Sequence, residues 1–169
     1  MKKALRILFK LLEGVPIIGI PIKVSNLDVI IRKLERKGDL KKAREVREAA
    51  LKTIPFSHQG PLLRSEGEDK LYKLKDYKAA LEIFEKAVDA MHQAPSTYGI
   101  TAPDRVYAGA SQAALFCGKV EKSTEYYFEF AKLVEEFSKD KKLDKALDWH
   151  KATMKYLESQ LMPKNINLG

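Results

Sequence analysis

The chain has 169 residues, 45% of them hydrophobic and 32% charged, with only 9 Gly and 7 Pro. That composition describes a folded, helix-rich domain and excludes a disordered chain or a fibrous repeat, and the single cysteine, Cys117, excludes an internal disulfide. The whole net charge of +8 lies in residues 1–60, which hold 14 Lys/Arg against 6 Asp/Glu, whereas residues 61–169 hold 17 of each. A split of this kind marks either a surface for an anionic partner or a basic face kept for solubility.

Residues 2–13 carry the sharpest amphipathic pattern. At about 100° per residue, Lys2, Lys3, Arg6, Lys10 and Glu13 share one arc, and Leu5, Ile7, Leu8, Phe9, Leu11 and Leu12 fill most of the rest. Gly14–Ile22 follows as an apolar strap whose prolines, Pro16 and Pro21, interrupt a helix. The charges make the stretch too broken to span a bilayer, and no small-residue cleavage site suggests a secretory signal. Residues 1–24 therefore read either as a cap packed on the end of a helical stack or as an interfacial anchor. As an anchor, Lys2, Lys3, Arg6, Phe9 and Lys10 would meet anionic head groups, joined by Arg32, Lys33, Arg36, Lys37, Lys41 and Lys42.

Beyond position 25 the chain reads as paired helices. Ser25 and Asp28 form a capping-box pattern before Leu27, Ile30, Ile31 and Leu34, and Gly38-Asp39 breaks that helix. The next carries Leu40, Ala43, Val46, Ala50 and Leu51 and stops before Pro55. Pro61 starts a third, with Leu62, Leu63, Leu71, Tyr72 and Leu74, and a turn near Lys75-Asp76 leads to the clearest stripe: Tyr77, Ala80, Leu81, Phe84, Ala87, Val88 and Met91. Residues 93–103 read as a loop, long enough to be an insertion or a binding element. Tyr107, Ala110, Ser111 and Ala114 give a small-residue face ending at Gly118. Residues 121–138 carry an aromatic stripe, Tyr126, Tyr127, Phe130, Leu133, Val134 and Phe137, and a last helix at about 140–160 carries Leu143 through Leu161 before a polar tail, 163–169.

Catalytic patterns are sparse. His58, His92 and His150 have no metal-ligand spacing, Asp89 and His92 read as an ordinary surface pair, and Cys117 reads as a buried structural thiol. Gly14 and Gly19 lack the lysine of a phosphate loop. The basic third holds only Phe9 and Phe56 for stacking, and its charges alternate with Glu35, Asp39, Glu45 and Glu48, so nucleic acid is a poor fit. The expectation is a non-enzyme without metal, cofactor or small-molecule substrate.

Three helix–turn–helix units share a pattern: Leu34, Gly38-Asp39, Ala43, Ala50, Pro55; then Leu71, Asp76-Tyr77, Ala80, Phe84, Ala87; then Tyr107, Ser111, Ala114, Gly118, Tyr127, Phe130. In these residues, and most closely over Lys73–Val88, the chain resembles the tetratricopeptide repeat family. The repeats are degenerate. Ala43, Ala80 and Ser123 are 37 and then 43 residues apart, where the family repeats at about 34, and Ile31, Glu68 and Ser123 replace small residues. The resemblance covers 25–138, with 140–160 as a cap, and implies an all-α stack of antiparallel helix pairs over 25–162. Its first helices would line a groove with Arg32, Glu35, Arg36, Asp69, Tyr72, Lys73, Arg105, Gln112 and Phe116. The implied function is cytoplasmic capture of a partner protein, an acidic one by the charge of the chain. The alternative is a peripheral protein held at an anionic membrane by residues 1–24.

Overall fold

The structure is a computed structural model that describes residues 20–94, 101–139 and 147–162. The amphipathic segment 2–13, most of the strap after it, the core of the 93–103 loop, and Leu143 and Ala146 lie outside the described residues. Within them the chain is all-α, with no strand. Seven α-helices follow in order: α1 (Ile20–Arg36), α2 (Leu40–Thr53), α3 (Gly60–Glu68), α4 (Tyr77–Gln93), α5 (Pro103–Phe116), α6 (Val120–Ser138) and α7 (Leu147–Leu161). A 3₁₀ turn, Phe56–His58, precedes α3, and a π-helical stretch, Asp69–Leu74, extends it.

The stops follow backbone chemistry. Gly38 and Gly118 take positive φ, +78° and +71°, where a glycine carries no side-chain penalty. Asp39 accepts from the amide of Lys42 and Asp76 from that of Ala79, so two aspartates satisfy orphan donors at the starts of α2 and α4. Two expectations change. Helix α1 already includes Ile20 and runs through Ser25, so Ser25 is not its cap. The third helix does not run evenly to Leu74 but widens into π geometry, which places Tyr72 and Leu74 outward.

The described residues form two compact units. Residues up to 66, with 86–94 and 101–102, make the first; residues 67–85, 103–139 and 147–162 make the second. Helices α3 and α4 supply residues to both.

In the first unit α1 packs on α2 around Val24, Leu27, Ile31, Ala43, Val46, Ala50, Ile54 and Leu62. Charged groups penetrate this core. Arg64 donates to Asp28 at 3.2 Å and to the Thr101 carbonyl at 3.1 Å, and Arg32 donates to the same Asp28 oxygen at 3.0 Å. Arg47, only 5% exposed, donates to Glu35 and to Ser65. Buried charges persist because each finds an opposite charge and further hydrogen bonds.

The second unit is built on rings and small residues. The Phe84 ring lies so close to Gly67 and Gly109 that a Cβ at 109 would stand 2.3 Å from its Cζ. Both glycines lie inside helices, where each costs about 1 kcal/mol of propensity; the ring explains their presence. Helices α5 and α6 meet closely at Ser111 and Ser123. Each hydroxyl donates to the other residue's carbonyl, at 2.9 and 2.8 Å. Ser123 therefore stands at a small-residue position because it ties the two helices. Helix α7 packs on α6, with Tyr127 donating to Glu158.

Candidate functional site

Six of the nine residues expected on a groove belong to the second unit, and the structure joins them with neighbours the sequence did not reveal. Tyr72, on the π-helical stretch, donates to the Gln112 side chain on α5 at 3.0 Å. Lys73 pairs with Asp69 one turn away. Arg105 forms an ion pair with Glu68, Nε to Oε1 3.2 Å, and its guanidinium carbon lies 5.9 Å from the centre of the Trp149 ring. Phe116, at the end of α5, meets Tyr77, at the start of α4, with ring centres 4.6 Å apart. Arg105, Gln112 and Phe116 fall within a narrow arc of α5 at helical spacing.

The side chains remain accessible: Tyr72 is 52% exposed and Phe116 45%. The Tyr72 hydroxyl, in contrast, is set against polar neighbours. Its pKa is pushed up to about 12, first by burial, then by the charge of Glu68, with Arg105 opposing. The phenol stays neutral at any physiological pH and keeps donating to Gln112. Lys75, Lys78 and Lys119 border the two turns next to Tyr77 and Phe116. All three are exposed, and none has a carboxylate within ion-pair distance among the described residues.

The remaining three expected residues lie in the first unit. Glu35 is held inward by Arg47, and Arg32 is half-buried on Asp28, so both serve internal ion pairs instead of an open groove; Arg36 is exposed. Of the residues expected at an anionic surface, Lys33, Arg36, Lys37 and Lys41 are exposed and Lys42 half-buried, while Lys2, Lys3, Arg6, Phe9 and Lys10 lie outside the described residues.

Glu68, Tyr77 and Trp149 are members of the second unit's surface that sequence reasoning left out. Glu68 offered a signal as a large residue where a repeat wants a small one. Trp149 offered none, because its contact with Arg105 spans 44 positions.

Chemistry elsewhere is modest. His150 Nε2 lies 2.8 Å from Asp104 Oδ2, both largely buried, and the imidazole stacks on Phe130 at 6.0 Å. This pair joins α7 to the first turn of α5 across 46 positions, which no local spacing reveals. Cys117 is half-buried instead of fully enclosed. A hollow of about 450 Å³ on α6 and α7 is lined by Phe128, Ala131, Val134 and Met154 together with Lys132, Glu135 and Ser138. Among the described residues no group of three or more His, Cys, Asp or Glu could hold a metal ion, and no helix is long and apolar enough to cross a membrane. No family model matches the chain, and no curated protein or solved structure matches it.

Proposed function

We propose that this chain is a non-enzymatic, tetratricopeptide-like interaction module that captures a partner protein on the second unit, at the surface of Tyr72, Gln112, Phe116 and Arg105. The observation that carries this reading is the exposed Phe116 ring, packed on a half-buried Tyr77, beside an exposed Tyr72 fixed by Gln112. Exposed rings held in place are what a partner buries at the centre of an interface, since little conformational freedom is lost when they are covered. Lys75, Lys78 and Lys119 around the rings favour a partner whose matching surface is acidic. A cytoplasmic setting accords with a single cysteine.

The test is quantitative pull-down and identification of the bound protein with wild type, Phe116→Ala and Phe128→Ala. Phe128 is an equally exposed ring on α6 that serves as the control. The expected result is an affinity loss of about 2 kcal/mol for Phe116→Ala alone, roughly thirtyfold. Equal retention by both variants would remove the site.

A further inference from the structure

The first unit's ion pairs have an outward consequence. Asp28 and Glu35 are two of the few carboxylates among its many cations, and both are spent inside, on Arg64, Arg32 and Arg47. A third, Asp39, caps α2. What remains outside at the α1–α2 turn is nearly one sign: Lys33, Arg36, Lys37, Lys41 and Arg44 are all exposed, and none has a carboxylate within ion-pair distance among the described residues. Of the carboxylates on α2, Glu48 is exposed and Glu45 half-buried. At the tip, between Lys37 and Lys41, Leu40 is 54% exposed.

From this arrangement we infer that the outer face of the α1–α2 hairpin docks on an anionic lipid bilayer. The partner site on the second unit neither requires this surface nor depends on it. Three features select a bilayer among anionic partners. Among the described residues the large exposed apolar side chains on these two helices are Val29 and Leu40, and neither helix sequence holds an aromatic residue, so the face lacks aromatic anchors for a protein interface and stacking groups for single-stranded nucleic acid. Five flexible cations in a cluster suit a fluid surface whose charges rearrange to meet them, whereas a rigid duplex would set its phosphates against Glu48 as well. Leu40 adds an apolar tip of the size an interface admits. The same chain carries residues 2–13, whose sequence alone has the composition of an interfacial helix.

The experiment is flotation of the full-length protein with vesicles of phosphatidylcholine alone or with about one third phosphatidylserine, at low and high salt. Two variants accompany wild type. One replaces the hairpin cations (Lys33→Gln, Arg36→Gln, Lys37→Gln, Lys41→Gln and Arg44→Gln), and the other replaces the lysines of the second unit (Lys75→Gln, Lys78→Gln and Lys119→Gln). All these side chains are exposed, and circular dichroism checks that helix content is kept. The proposal expects salt-sensitive binding to anionic vesicles only, at least about tenfold weaker in the hairpin variant and near wild type in the other. It is overturned if wild type ignores anionic vesicles, or if the hairpin variant floats as well as wild type, which would move the contact elsewhere in the chain. Retained binding to duplex DNA or polyglutamate without vesicle binding, lost in the hairpin variant, would assign the face to another anion and also overturn it.

Discussion

Arg47 and Arg64 in the first unit are buried, 5% and 7% exposed, and each reaches a carboxylate there. The second unit gives the same depth to Phe84, seated against two glycines. The two interiors solve one problem, filling space beside small residues, with opposite chemistry. An ion pair needs its partner and tolerates replacement only of both members; a ring needs its shape. The surfaces inherit the difference. Where carboxylates are spent inside, the outside is left basic, and where rings fill the inside, further rings at the helix ends are left exposed.

The largest expected effects attack each interior at its centre. Phe84→Ala should cost about 3–5 kcal/mol in urea unfolding, through lost burial and the void it leaves. Asp28→Ala should cost a similar amount, about 3–5 kcal/mol, because Arg64 would keep a buried charge without its counterion. The comparison is sharpened by Asp28→Leu combined with Arg64→Met. Removing both charges should recover most of the loss, whereas no second change at a distance should rescue Phe84→Ala. If the double variant is no more stable than Asp28→Ala, the first unit depends on the geometry of the pair and not on charge balance.

A smaller effect tests the fit of the ring. Gly109→Ala should destabilise by about 1–3 kcal/mol despite its better helix propensity, since the new Cβ must displace Phe84. Combining it with Phe84→Leu should cost less than the two single changes summed, because they share one space. Exact additivity would show that Gly109 serves another purpose. Below these stands Ser123→Ala, expected to cost about 1 kcal/mol by removing one of the two reciprocal bonds to Ser111.

How much of this was legible follows from the range of each interaction. Gly38, Gly118 and the Lys75-Asp76 turn were readable because a helix stop is written within a few residues. The stripe from Tyr77 to Met91 was readable because periodicity is local. Ser123 was noticed as a departure from the repeat, but its reason, a bond from one helix to the next, was not in any window. Arg64 with Asp28 and His150 with Asp104 join residues 36 and 46 positions apart. Nothing in a single sequence distinguishes those arginines and that histidine from surface residues. The Ser25 cap was misplaced: the helix runs through Pro21 and Ser25, so the local pairing of Ser25 with Asp28 did not mark a helix start.

The mildest prediction concerns Tyr72 and Tyr127, one at the proposed partner surface and one inside the second unit. An ordinary tyrosine ionises near 10.0. Tyr72 is raised to about 12 by burial and by Glu68, and Tyr127 is raised further by burial and by its bond to Glu158. Since the folded state holds these protons more tightly than the unfolded chain, both groups contribute stability that is complete below pH 10 and declines as pH rises toward and past 12. Spectrophotometric titration should therefore find Tyr72 and Tyr127 ionising late, together with falling stability across that window. Tyr127→Phe should make the alkaline decline shallower, and Tyr72→Phe should do so less, because its ring is half open to solvent. A decline of unchanged steepness in both variants would trace the alkaline loss to lysines, the first unit's basic surface included, and would erase the contrast between the two units at high pH.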